Sequence, residues 1–251
     1  MITVFDIGMF DGADTGYYLD CGYRVIAVEA NPEAVHNALQ RFKRQVASGQ
    51  LTCINAAISP RGETVELTLS GSDLGSSSVF HERVANKHPI GTVKVPGVTL
   101  SDLFLRHGVP YYLKIDIEGA DRLCVLSLTA DRRPEYLSFE VGDDVDELVE
   151  HAAAIGFRRF KIIDQNSFRE LANRECLYDR LAGRAMLYLG YAEPLRVRRI
   201  GTFFVAGHSS GPPPWRSDGR WYSASATRAR IRQAKASDVL KGWYDIHAST
   251  G

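Results

Sequence analysis

The chain has 251 residues, 45% of them hydrophobic, enough for one sizeable core. Its 30 Lys and Arg balance its 30 Asp and Glu, so bulk charge nominates neither nucleic acid nor a membrane surface as partner. Cys21, Cys53, Cys124 and Cys176 stand far apart with no CxxC pair and no apolar run long enough to span a membrane, which leaves no zinc motif, disulfide framework or transmembrane segment to build on.

Met1 leads straight into a strand pattern with no basic leader, so a cytoplasmic protein with reduced thiols is expected. Short β-rich runs then alternate with helical patterns. The strand candidates are 2–7, 24–30, 51–57, 111–116, 136–141, 157–163 and 199–207. Most are nearly continuous apolar runs, as expected of strands buried on both faces. "NPEAVHNALQRFKRQVAS" (31–48) opens with Asn as cap and Pro at the first helical position. Helical patterns over 99–108 and 143–156 each run into a glycine. This alternation predicts an α/β fold, a mostly parallel sheet with helices on both faces.

Two segments break the rhythm. Residues 63–98 read as a strand, a Gly/Ser loop and another strand, and 164–199 insert helical patterns before the last strand candidate. Both are placed as cap or substrate insertions of a domain spanning 1–208. Residues 209–251 read as a Pro-rich tail with a short helix, carrying seven basic and three acidic residues. That tail is either a solvated surface segment or a contact for an anionic partner.

The stretch "VFDIGMFDGADTGYYL" (4–19) places Asp6, Gly8 and Gly12 between a strand and a helix start. A dinucleotide fingerprint needs a further glycine at position 10, which is Phe10. Asp6, Asp11 and Asp14 would repel a diphosphate and suit a cation or an ammonium-bearing zwitterion such as S-adenosylmethionine (SAM). Glu29 ends the second strand, where an acid can accept two hydrogen bonds from ribose hydroxyls. "INAAIS" (54–59) leaves room for a flat adenine ring beside the third. In "YYLKIDIEGADRLCVL" (111–126), Lys114, Asp116 and Glu118 alternate, so all three point to one face until the strand ends. Charges on a buried strand are costly unless they are used.

At this segment the sequence resembles the FkbM-type SAM-dependent methyltransferases, whose hallmark is K-I-D-x-E-G-A-[ED] on the fourth strand. "FDIGMFDGADT", "VIAVEANP", "NAAIS", "SSSV", "VPGVTLSDLF", "LKIDIEGAD" and "YLSFEV" follow in the family's order, and "SSGP" and "GWYDIHA" resemble the C-terminal end of some members. The resemblance implies a Rossmann-like class I methyltransferase fold, a seven-stranded sheet with its last strand antiparallel, a role given to 199–207. SAM would lie across the carboxyl ends of the first strands. Gly8 and Gly12 would approach its methionine part, with Asp6, Asp14 and Thr15 close by. Glu29 would hold the ribose, with Ala30 and Asn31 beside it, and Asn55 and Ala56 would flank the adenine. Family members commonly methylate hydroxyl groups of sugars or natural products. Many also carry extra helices ahead of the first strand; here the lid is sought in 72–95, 164–199 or a second subunit.

Methyl transfer to an alcohol needs an aligned acceptor about 3 Å from the methyl carbon and a base. Asp116 is the first choice, with Glu118 and Glu140 as alternatives and Lys114 as a charge partner. Asp116 and Glu140 could instead hold Mg²⁺. His81 and His208 could also line the cleft, although a lone His is more often incidental. "PPPW" (212–215) resembles the motif of amino-group methyltransferases but follows the last strand candidate, and is read as a stiff polyproline turn. The expected function is an O-methyltransferase acting on a sugar, glycan or natural product, with no nucleic-acid partner and a homo-oligomer allowed. The competing readings are a non-catalytic SAM-fold binding protein and an NAD(P)-dependent oxidoreductase.

Overall fold

The computed structural model describes residues 1–70, 78–79, 88–117, 119–165, 167–171, 197–199, 202–204, 209–217, 219–236 and 243–251. Strand β1 (Thr3–Ile7) leads into helix α1 (Ala13–Asp20) and β2 (Arg24–Glu29) into α2 (Pro32–Arg41), α3 (Lys43–Ala47) and β3 (Leu51–Asn55). The short β4 (Ala57–Ile58) pairs with β7 (Gly97–Val98), and between them β5 (Val65–Ser70) pairs antiparallel with β6 (Pro89–Val95). Then follow α4 (Leu100–His107), β8 (Tyr112–Ile115), α5 (Asp121–Ser127), β9 (Tyr136–Glu140), α6 (Val145–Ala154), β10 (Arg159–Asp164) and β11 (Arg169–Glu170). The last described elements are β12 (Val197–Arg199), β13 (Thr202–Phe204), α7 (Ala224–Ala236) and β14 (Tyr244–Ser249).

Eight strands form the main sheet, in the order β11-β10-β14-β9-β8-β1-β2-β3. From β3 to β9 all pairings are parallel, while β14 runs antiparallel to both β9 and β10. The predicted mostly parallel sheet with one reversed strand is therefore present, with the small β11 added at its edge. The reversed strand is not 199–207. That stretch contributes to a separate two-stranded hairpin, β12–β13, and the place in the sheet belongs to Tyr244–Ser249. The physical reason is visible in the side chains. "YDIHAS" mixes Asp245 and His247 with apolar residues and reads poorly as a strand, yet all six residues are buried. The C-terminal segment is thus part of the sheet itself.

Local signals account for the helix ends. Asn31 accepts the Glu33 N–H at 3.0 Å with Pro32 behind it, and Thr99 accepts the Asp102 N–H at 3.0 Å. The helix expected over 31–48 breaks at Phe42, whose φ of −107° and ψ of 29° are not helical.

The pleat divides the sheet into two unlike faces. On one, Phe5, Ile7, Leu113, Ile115, Leu137, Phe139, Phe160, Ile162, Ile246 and Ala248 meet the apolar sides of α4, α5, α6 and α7 in the larger core. On the other, Val4, Val25, Ala27 and Tyr112 meet Tyr17 and Tyr18 of α1, Phe42, Phe168 and Phe204. The Tyr17 and Phe204 rings lie 4.5 Å apart, so β13 leans on α1.

The Pro-rich stretch 209–217 crosses that second face. Ser210 donates its N–H to Asp14 Oδ2 at 3.0 Å, and the turn at Pro213 accepts from the N–H groups of Arg216 and Ser217. This turn delivers Trp215 to Tyr23, Tyr111, Tyr112 and Tyr136, the last three at the starts of β8 and β9. "PPPW" therefore serves the amino end of the sheet, the end opposite the β1 and β8 exit loops, which agrees with reading it as a structural turn. The four thiols of the sequence reduce to three described ones, Cys21, Cys53 and Cys124, all free; Cys176 lies outside the described residues. No helix among the described residues is long and apolar enough to cross a membrane.

Candidate active site

The register of the sheet aligns polar residues across five adjacent strands on the α1 face. Asp6 pairs with Lys114, Lys114 with Ser138, Ser138 with His247 and His247 with Lys161. All five are at most 2% exposed. Such a row is tolerable only if each member has partners.

Lys114 Nζ lies 3.1 Å from Asp6 Oδ1, 3.3 Å from Asp14 Oδ2 and 3.6 Å from Asp116 Oδ2, and donates to the Gly8 carbonyl at 3.1 Å. Burial alone would lower the Lys114 ammonium, but the charges of Asp6, Asp14 and Asp116 outweigh it and hold the group well above its ordinary value. Asp6 completes its contacts by accepting from Thr15 Oγ1 at 2.6 Å. Asp14 is pushed up to about 7, by burial first and then by Asp6 and Asp116, against the opposing pull of Lys114 and the Ser210 N–H. Further along the row, Ser138 bonds the Tyr112 hydroxyl at 2.7 Å. His247 Nδ1 meets Ser217 Oγ at 3.0 Å, and burial together with Lys161 keeps this imidazole well below its usual value, so it is neutral. Lys161 donates to the Ser217 carbonyl at 2.7 Å and sits 4.3 Å from the centre of the Trp221 ring.

The structure sorts the sequence candidates by this geometry. Asp6, Thr15 and Lys114 form a buried cross-link between β1, α1 and β8. Lys114 is buried there, 2% exposed, with Asp116 at 3.6 Å. Gly8 has a φ of 87°, and an added Cβ would stand 1.7 Å from the Asp116 carbonyl oxygen. Gly12 has a φ of 75° as the cap of α1, and its Cβ would stand 2.8 Å from the Phe42 ring. Both glycines are demanded by close protein contacts whether or not a ligand approaches them.

Around Glu29 the loop closes on the end of β2. The half-buried carboxylate accepts the Phe10 N–H at 2.9 Å and the Asn31 N–H at 2.7 Å. Burial raises it, and these two hydrogen bonds partly offset the rise. Phe10 itself has a φ of 49°, an uncommon backbone held by this contact. Asn55 donates to the carbonyls of Glu29 and Ala30 at 3.0 Å each, and the buried Ala56 donates its N–H to the Glu29 carbonyl. Asn31, capping α2, keeps a buried Nδ2 without a hydrogen-bond partner among the described residues, and Asp14 Oδ1 is in the same condition.

At the carboxyl edge, Asp116 is 30% exposed at its side chain and Glu140 is half-buried. Two acids that the sequence reading did not single out organise this edge. Asp121 accepts the Ile117 N–H at 3.1 Å and the Glu140 N–H at 3.0 Å, tying the β8 exit to the end of β9. Burial, then Asp116, lift it to about 6. Asp245 lies opposite Glu140 in the register. Asp121 could have been noticed as the last acid of "EGAD", and Asp245 as the acid of "GWYDIHA". Glu118, His81 and His208 lie outside the described residues. Among the described residues no group of three or more His, Cys, Asp or Glu could hold a metal ion.

The sequence profile of the Methyltransferase FkbM domain matches residues 6–159. No curated protein matches significantly. Solved structures with some likeness include a methyltransferase FkbM from Methylobacillus flagellatus KT, 13% identical with a TM-score of 0.38, over 55% of this chain and 32% of that one. The matched part thus spans about a third of that protein's length. Others are a precorrin-6y C5,15-methyltransferase from Geobacter metallireducens GS-15, 11% identical, TM-score 0.41, covering 100% of this chain and 80% of that one, and a SAM-dependent methyltransferase from Thiobacillus denitrificans in complex with S-adenosyl-L-homocysteine, 11% identical, TM-score 0.36, covering 98% and 84%. Likeness at this level carries no weight of its own; the profile match, which includes the β1 loop, Glu29 and the "LKIDIEGAD" segment, does. The chain belongs to the FkbM methyltransferase family.

Proposed function

We propose that this protein transfers a methyl group from SAM to a hydroxyl group of a sugar, glycan or natural product. The observation that carries this reading is Glu29, fixed by the Phe10 and Asn31 N–H groups at the end of β2 beside the Gly8–Gly12 loop. Its carboxylate has lone pairs left for the two hydroxyls of a ribose. The buried, unpartnered Asn31 Nδ2 and Asp14 Oδ1 suit a polar nucleoside and an ammonium group. The residues present therefore fit SAM: Glu29 for its ribose, Asn55 and Ala56 beside its adenine, and Asp14 toward its amino group.

Bound SAM would supply an electrophilic methyl with its thioether as leaving group, and the hydroxyl proton of the acceptor would go to a carboxylate. Asp116 is the group suited to take that proton, because it is the cluster member that reaches the surface while Lys114 holds it at 3.6 Å. Asp121 holds the neighbouring backbone, so the edge on which acceptor and base meet is rigid.

Calorimetry with SAM, S-adenosylhomocysteine and NAD tests the cofactor. Binding of the first two and not the third is expected, with Glu29→Gln weakening it by at least about tenfold, near 1.4 kcal/mol. NAD binding without SAM binding would overturn the reading in favour of an oxidoreductase. Incubation with methyl-labelled SAM and a panel of sugars and nucleotide sugars then tests the acceptor. SAM binding without transfer to any acceptor, and with Asp116→Asn indistinguishable from wild type, would favour a binding protein.

A further inference from the structure

Beyond the buried row lies a second one, one step closer to the carboxyl edge. Asp245 is directly opposite Glu140 on paired strands, and Asp116, the residue after β8, is close enough for its charge to act on Asp245. All three side chains share the α1 face by the two-residue period of strands. Adjacent strands are about 4.8 Å apart, so the three acids follow one another along the edge. Asp116 and Glu140 are open to the mouth, whereas Asp245 is 1% exposed. Its Oδ1 accepts from Gln165 Nε2 at 2.8 Å, but its Oδ2 accepts a hydrogen bond from no donor among the described residues. A buried charged carboxylate oxygen without a donor is costly, whereas a protonated one can itself donate to a neighbouring carboxylate.

We propose that Asp245 is a positioning residue for methyl transfer: it stays protonated, donates a hydrogen bond from Oδ2 to the Glu140 carboxylate, and so leaves Glu140 and Asp116 as the two charged members that face the acceptor. This rests on the reading of Asp116 as the acceptor base. The groups facing Asp245 are Glu140 from β9, Asp116 and Lys114 from β8, Gln165 following β10, and, one row below, His247 and Lys161, with Asp6 and Asp14 beyond Lys114. Of the two cations, Lys114 is already shared by three other carboxylates, and Lys161 lies one row below, donating to the Ser217 carbonyl. Burial and the charge of Asp116 both push the Asp245 carboxyl well above its ordinary value, with Glu140 adding to them. Throughout the reaction the proton of Asp245 stays in place; the acceptor's proton goes to Asp116.

The test needs no known acceptor. The infrared difference between wild type and Asp245→Asn at neutral pH should show a protonated-carboxyl band that belongs to Asp245, apart from any contribution of Asp14, which both proteins share. In carboxyl-labelled protein the Glu140 titration midpoint should stay within about half a pH unit in Asp245→Asn, whose amide still donates, and rise by about one pH unit in Asp245→Ala, which removes the donor. An unchanged infrared spectrum in Asp245→Asn, or a Glu140 midpoint that ignores Asp245→Ala, overturns the proposal. Should Asp245→Ala fail to fold, the infrared comparison decides alone. S-adenosylhomocysteine binding is measured on the same samples: the band together with no binding refutes the cofactor reading, whereas binding without the band refutes the role of Asp245.

Discussion

Lys114 shows how one buried side chain can hold acids from three segments of the chain together. Its ammonium compensates Asp6 and Asp14 inside the protein and reaches Asp116 at the surface. Replacing it by Met would leave two buried carboxylates uncompensated, so a loss of about 3–5 kcal/mol is expected in urea unfolding at neutral pH. At Gly8 the constraint is steric. A Cβ 1.7 Å from the Asp116 carbonyl cannot be relieved by a side-chain rotation, since the obstacle is backbone. Gly8→Ala should therefore cost on the order of 3 kcal/mol and displace Asp116, lowering any methyl transfer more than the loss of folded protein explains. Both residues were legible as site residues from the spacing of Asp6, Gly8, Gly12 and the K-I-D segment. Their roles were not, because pairing Asp6 with Lys114 joins residues more than a hundred positions apart.

Among the elements, β14 and α7 together explain the basic C-terminal segment. Arg228 pairs with Asp146 at 3.4 Å and Glu150 at 3.1 Å, Arg232 pairs with Asp146 at 3.3 Å, and Arg230 meets Glu170 at 2.7 Å. Three of the seven basic residues of this segment are thus paired with acids of α6 and β11. These pairs are partly exposed, so Arg232→Ala should change stability by no more than about 1 kcal/mol. Ile246, fully buried between the helices and the sheet, is different: Ile246→Ala should cost about 2–5 kcal/mol. Thermal or urea unfolding of the two variants side by side checks the contrast. Strands β1, β2, β8, β9 and β10 could be read from their apolar runs, since both faces of each are covered. The hairpin β12–β13 mimicked such a run while standing outside the sheet, and β14 concealed itself by carrying polar residues that only the buried row accommodates.

For the molecule as a whole, buried acids set the response to pH. Asp14 and Asp121 ordinarily titrate near 3.8 in an unfolded chain, and in the fold they hold their protons to about 7 and about 6. The folded state then binds more protons than the unfolded one across that interval. The share of stability due to these groups is therefore full below about pH 4 and falls as pH rises, to about 6 for Asp121 and about 7 for Asp14. For Asp121 the change is at most about 3 kcal/mol. Urea unfolding at about pH 4.5, 6 and 7.5 checks this. Asp121→Asn should be less stable than wild type throughout, having lost an acceptor for a backbone N–H, but by a margin that narrows as pH rises. A margin that widened instead would contradict the raised value.

From the sequence alone came the alternation of strands and helices, the acidic glycine loop after β1, the acid closing β2 and the charged K-I-D segment, because these are local: hydrophobic period, turn chemistry and spacing within a few residues. Only the tertiary structure decided that Tyr244–Ser249 completes the sheet, that Lys114 is enclosed by Asp6, Asp14 and Asp116, and that Asp245 stands beside Glu140. Those facts depend on which strands become neighbours and in what register. Buried polar residues identify themselves only once their partners, distant in the chain, are set against them.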